Sequence, residues 1–130
     1  MVLLFLSNTL HISFWLMFFL FVYSQTSSLT TPAAITDNPP DDLVVLDVRT
    51  PEEFAEGHLE GAVLVDYYEP DFADQLAALD TDVPYLVYCH SGNRSGQALG
   101  VMEQLGFASA VDIDGGIVAW SDAGLPVSTG

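Results

Sequence analysis

The sequence contains no lysine and only two arginines, Arg49 and Arg94, against 18 acidic residues, for a formal net charge of −16. That scarcity of cations argues against nucleic acid as a partner, because Lys and Arg neutralising phosphates supply most of such affinity. Cysteine is almost absent as well. Cys89 stands alone, so there is neither an internal disulfide nor a multi-cysteine zinc or iron–sulfur site. No internal repeat is visible. What is plentiful is apolar: half of the 130 residues are hydrophobic, which suits one domain with a real core and opposes intrinsic disorder.

Charge is also missing from the first stretch. Residues 2–23 carry no Asp, Glu, Lys or Arg, and Phe14–Val22 is an unbroken apolar run. Twenty-two helical residues span about 33 Å, close to the roughly 30 Å hydrocarbon core of a bilayer. Residues 1–24 read in three ways. They fit a membrane anchor acting through 2–23, a signal peptide cleaved after Ser24, or a misassigned start, the last suggested by the abrupt change of composition. The first two place the protein at a membrane or outside the cell, and the third in the cytoplasm. Lone His11 lies in this stretch and carries no role. Residues 25–42, Ser/Thr-rich and then acidic with Pro39 and Pro40, read as a polar tether with a short helical turn at Pro32–Ile35, and the folded domain as 43–128.

Within that domain short apolar runs alternate with helical patterns. Strands are expected at Leu43–Leu46, Ala62–Val65, Tyr85–Tyr88 and Ala110–Ile113. Helices are expected at Pro51–Glu56, with proline first and acids in the first turn, around Phe72, Leu76 and Leu79, at Ser95–Leu105, and at Ile117–Asp122. Gly106 suits a C-cap and Gly115–Gly116 a turn. Apolar strands alternating with helices predict an α/β fold: a central parallel sheet with helices on both faces.

The chemistry concentrates in Tyr85-Leu-Val-Tyr-Cys89-His-Ser-Gly-Asn-Arg94-Ser95, a strand, a loop and a helix start. Cys89 falls at the carboxyl end of a strand, where open α/β sheets place their ligands. The loop leads into a helix N-terminus, so backbone N–H groups can point at the sulfur or at a bound anion. Those donors and Arg94 favour thiolate over thiol, which makes Cys89 a nucleophile with a depressed pKa. Gly92 gives the turn its freedom, and Ser95 is read as the N-cap, with a hydroxyl that can also face the sulfur. The bland alternative, a small buried hydrophobe, leaves unexplained the polar loop and an arginine in a chain with two.

Cys89-x-x-Gly92-x-Arg94-Ser95 resembles the active-site loop of the rhodanese (sulfurtransferase) family, in its single-domain form. Leu46-Asp-Val-Arg49, Glu53-Phe54 and Gly57-His58-x-x-Gly61-Ala62 resemble its N-terminal signature. Asp114-Gly115-Gly116-x-x-x-Trp120 and Gly124-x-Pro126-Val127 resemble its C-terminal one. The resemblance covers residues 43–127. It implies a persulfide cycle in which Cys89 takes a sulfane sulfur from thiosulfate or a persulfide and passes it to cyanide or a thiol. No metal or organic cofactor is implied. The loop His90, Ser91, Gly92, Asn93 and Ser95 would cradle the sulfur, while Arg94 would offset anionic charge and fasten the loop.

Outside the loop, Asp47, Arg49, Gly57, His58, Gly61, Gly115, Gly116 and Trp120 are read as structural. Arg49 is assigned an ion pair with Asp47 or a nearby acid, His58 the ordering of the 57–61 turn, and Trp120 a place in the core. His90 is assigned either thiolate stabilisation or solvent exposure. Two other functions are weighed. A binding module on the same fold would typically lose the cysteine. Phosphatases and arsenate reductases of similar fold carry seven residues from Cys through Arg, whereas Cys89 through Arg94 is six. Asp outnumbers Glu by 12 to 6, so the acidity reads either as a solvated surface or as adaptation to high salt.

Overall fold

The computed structural model describes residues 38–130, so the expectations for 1–24, for the turn at Pro32–Ile35 and for most of the 25–42 tether lie outside the described residues. Among the described residues no helix is long and apolar enough to cross a membrane. The elements are β1 (Val44–Asp47), α1 (Pro51–Glu56), β2 (Val63–Leu64), α2 (Phe72–Ala77), β3 (Pro84–Tyr88), α3 (Asn93–Gln104), β4 (Ser109–Asp112) and α4 (Gly116–Asp122).

The four strands form one sheet in the order β2-β1-β3-β4, every pair parallel. Parallel neighbours need crossovers, and the intervening helices supply them. Alternate β3 side chains enter opposite layers. Tyr85, Val87 and Cys89 pack with Phe72, Leu76, Ala98 and Met102 from α2 and α3. Leu86 and Tyr88 pack on the other face with Leu59, Ile113, Ile117 and Trp120. Both faces are therefore covered.

Two local differences from the sequence reading have clear causes. The strand expected at Ala62–Val65 shortens to two residues, because β2 is an edge strand paired, among the described residues, with β1 alone. α3 starts at Asn93 rather than after an N-cap at Ser95, since Gly92 occupies the cap in the left-handed region (φ 107°) without a side-chain bond. A side chain there would be strained, and glycine is not. Ser95 thus lies within the first turn of α3, fully buried.

α1 is fixed at its start by a reciprocal capping box. Thr50 Oγ1 accepts from the Glu53 N–H (3.3 Å), and Glu53 Oε2 accepts from the Thr50 N–H (3.1 Å). Six residues are too few for a helix to hold on propensity alone, and the cap offsets part of that deficit.

Candidate active site

Because the strands share one direction, Asp47 at the end of β1, Tyr88 at the end of β3 and Asp112 at the end of β4 lie along one edge of the sheet. Cys89 follows Tyr88 and is 1% exposed. Its sulfur accepts from the Gly92 N–H at 3.1 Å and from the Ser95 hydroxyl at 3.3 Å. Burial pushes the thiol pKa up. The Ser95 hydroxyl and the N–H groups of Ser95, Gly92 and Ser91 outweigh it, so the pKa lies below its ordinary value. All these donors favour the anion.

The donors point inward because α4 holds the loop from behind. The Ile117 N–H donates to the Cys89 carbonyl (2.9 Å) and the Val118 N–H to the His90 carbonyl (3.2 Å). In a trans peptide the C=O and N–H point opposite ways. Anchoring those carbonyls on α4 therefore turns the N–H groups of His90 and Ser91 away from it. The close approach depends on Gly116 (φ 64°): a Cβ there would collide with the His90 carbonyl and lie 2.6 Å from the Cys89 oxygen. Gly115, also left-handed, is the N-cap of α4.

Arg94 does not stand free. Its Nη1 and Nη2 donate to Glu53 Oε2 and Oε1, each at 2.8 Å, and its guanidinium carbon lies 5.5 Å from the centre of the Tyr68 ring. The Arg94 fork, helped by the Thr50 backbone and opposed by burial, holds the Glu53 carboxyl down at about 2. Glu53 thus ties the start of α1 to the loop. In the sequence Glu53 stands out only as part of the Glu53-Phe54 motif. The signal available for it was the Thr50-x-x-Glu53 capping pattern, which fixes the carboxylate but says nothing of Arg94.

The remaining signature residues form the support below. Arg49 Nε donates to Asp47 Oδ1 (3.0 Å) and Nη2 to Asp47 Oδ2 (2.7 Å), while Nη2 also reaches the Gly57 carbonyl (2.6 Å). The Tyr88 hydroxyl donates to Asp47 Oδ2 (2.6 Å) and accepts from the Leu59 N–H (3.1 Å). His58 Nδ1 is 2.9 Å from the Phe54 carbonyl, its ring stacks on that of Phe54 at 3.7 Å, and its backbone pairs with Ser128. Gly61 takes a left-handed turn (φ 74°) before β2. Trp120 is buried, and its Nε1 donates to the Pro126 carbonyl (2.9 Å).

Of the loop residues, Ser91 and Asn93 are exposed, and Asn93 Oδ1 accepts from Gln97 Nε2 (3.4 Å). His90 is exposed too, and among the described residues its ring makes no hydrogen bond to the sulfur. It lines a cleft of about 350 Å³ together with Glu53 and Glu56 of α1 and Ile117 and Val118 of α4. A nearly enclosed sulfur held by anion-stabilising donors can act as a nucleophile toward a small electrophile.

The chain matches the family model described as Rhodanese-like domain over residues 31–123. It is 34% identical over 97 residues to thiosulfate sulfurtransferase GlpE of Pseudomonas aeruginosa, covering 75% of this chain and 86% of that one. It is 36% identical over 110 residues to the chloroplastic thiosulfate sulfurtransferase 16 of Arabidopsis thaliana, covering 73% and 92% respectively. A crystal structure of a rhodanese-related protein from Thermoplasma volcanium superposes with a TM-score of 0.69 at 32% identity, covering 77% of this chain and 96% of that one.

Proposed function

The chain belongs to the family of rhodanese-like domains, and from that premise we propose that it is a sulfurtransferase working through a persulfide on Cys89. The carrying observation is the sulfur held between the Gly92 N–H and the Ser95 hydroxyl at the N-terminus of α3. The Cys89 thiolate attacks the outer sulfur of thiosulfate. The new S–S bond forms as the bond to the inner sulfur breaks, sulfite leaves with the electron pair, and Cys89 carries an extra sulfur. A cyanide or thiol nucleophile then attacks that sulfur and returns the thiolate. Backbone donors of the loop hold the negative charge at each stage. Arg94 fastens the loop through Glu53. The support from relatives is that two of them are named thiosulfate sulfurtransferases.

The cycle needs one cysteine, and the sequence holds one. Intact mass after incubation with thiosulfate and removal of excess reagent tests the reading. The protein should gain one sulfur atom, lose it on adding cyanide, and gain nothing when Cys89→Ser is treated alike. An unchanged mass for the wild-type chain would overturn the proposal.

A further inference from the structure

The cleft beside the loop holds charges that nothing in the chain answers. It measures about 350 Å³, is walled by α1 and α4, and reaches the loop at His90. Glu56 is the last residue of α1 and Asp122 the last of α4, and both line it. A helix C-terminus carries the negative end of the dipole and favours a cation, yet each of these helices ends in an acid. Neither carboxylate has an ion-pair partner among the described residues. The other charged groups of the lining are already matched, Glu53 by Arg94 and Arg49 by Asp47. The sequence has no lysine and no third arginine, so no such side chain is left to answer the two acids.

Two further observations define the rest of a ligand. Val118 and Val127 line the cleft while 40% and 39% exposed, two of the four large hydrophobic residues left exposed among the described residues. Arg49 lines the cleft as well, at 4% exposure. Its Nε and Nη2 are taken by Asp47 and the Gly57 carbonyl, whereas Nη1 has no hydrogen-bond partner among the described residues. A guanidinium nitrogen can only donate, so Nη1 calls for an oxygen acceptor. That oxygen is better neutral than charged, because Glu56 and Asp122 leave the cleft with a surplus of negative charge. We propose that the cleft is a binding site for an α-amino amide with an apolar side chain. Its ammonium lies near Glu56 and Asp122, its carbonyl oxygen accepts from Arg49 Nη1, and its side chain rests on Val118 and Val127. The volume falls within the range of small-ligand pockets, roughly 300–1,000 Å³.

The test titrates the full chain with leucinamide, which carries no sulfur, and reads the methyl NMR signals of Val118 and Val127. They should shift and saturate. Isocaproamide, which lacks the ammonium, should bind about tenfold more weakly or worse, and isoamylamine, which lacks the oxygen, about threefold. Glu56→Gln and Asp122→Asn should each weaken leucinamide by about threefold or more. Both residues are exposed and both changes relieve a helix end, so these variants should fold as well as wild type. Glu103→Gln removes an exposed acid of α3 outside the cleft and should leave the affinity unchanged. Tighter binding of leucinamide than of Leu-Gly-Gly amide assigns the site to a free amide, and the reverse order assigns it to the first residue of a peptide. Methyl signals indifferent to leucinamide would overturn the proposal. So would equal affinity for either truncated probe. A loss in Glu103→Gln matching that of the cleft variants would overturn it too, leaving only the pull of a chain at −16 on any cation. A protein that takes no sulfur from thiosulfate would defeat the transfer reading and leave this binding intact.

Discussion

Arg94 and Glu53 are joined by two parallel hydrogen bonds of 2.8 Å across 41 residues of sequence. Glu53 Oε2 also accepts from the Thr50 N–H, so one carboxylate caps α1 and anchors the loop around Cys89. This geometry changes what Arg94 contributes. Its charge is largely answered by Glu53, leaving position as its main service. Arg94→Ala should therefore act mostly through loop order, raising the thiol pKa and slowing transfer together. Lysine should rescue poorly, since one ammonium cannot reproduce the fork. Transfer kinetics and the alkylation profile of both variants check this.

The same pair dictates an acid dependence. The Glu53 carboxyl is held down at about 2 in the folded protein, against 4.5 ordinarily. A depressed acid stabilises the fold above its unfolded pKa and loses that contribution as pH falls toward the folded one. Glu53→Gln should thus be less stable than wild type at pH 7, by about 1–2 kcal/mol once solvent screening is allowed for. The gap should close between about pH 4.5 and pH 2. Urea midpoints of the two proteins at pH 7, 4 and 2.5 measure it, and a gap independent of pH would remove the ion pair from the account.

Tyr88→Phe probes the support rather than the site. The hydroxyl lost is fully buried, donating to Asp47 and accepting from the Leu59 N–H. Its removal leaves a buried N–H unpaired and the Asp47–Arg49 pair short of a donor, at a cost of about 2–4 kcal/mol. Chemical unfolding should show that loss, while the thiol pKa of the folded protein stays near the wild-type value.

Gly116→Ala should do the reverse. A left-handed alanine costs roughly 1–2 kcal/mol, and its Cβ would collide with the His90 carbonyl. The loop must withdraw from α4, releasing the carbonyls of Cys89 and His90 and with them the inward aim of the loop N–H groups. Transfer activity should fall by more than stability accounts for, with the alkylation midpoint moved upward. A variant with wild-type thiol pKa would show that the loop keeps its shape without α4.

Much of the fold was legible because its signals are local. Pro51 at the first helical position and the run Tyr85–Tyr88 each announce their element within one turn or strand. The all-parallel sheet followed from apolar strands alternating with helices. Three features of the site were not legible, for one physical reason: each depends on contacts between distant segments. Glu53 meets Arg94 only when α1 docks beside the loop. Asp112 has its Oδ1 shut off from solvent only when β4 pairs with β3. Ser95 looked like a cap because serine caps helices well, but closing the loop over the sulfur advances α3 to Asn93 and turns its hydroxyl to Sγ.

Salt should distinguish the two readings of the acidity. Both arginines are committed, Arg49 to Asp47 and Arg94 to Glu53, so no free guanidinium remains to draw an anion toward Cys89. A chain at −16 repels itself and repels thiosulfate, a dianion. The Debye length is about 10 Å at 0.1 M salt and about 3 Å at 1 M, so both penalties should shrink across that range. The inner pairs should be screened less, because Asp47 and Arg49 are buried. We therefore expect Tm and kcat/KM for thiosulfate both to rise from 0.1 to 1 M KCl. An uncharged sulfane donor should gain less in rate, since only the stability part remains to it. If the charged and uncharged donors responded alike, self-repulsion of the fold would be the whole effect. If stability and rate were both flat, the acidic residues would be a solvated surface and nothing more.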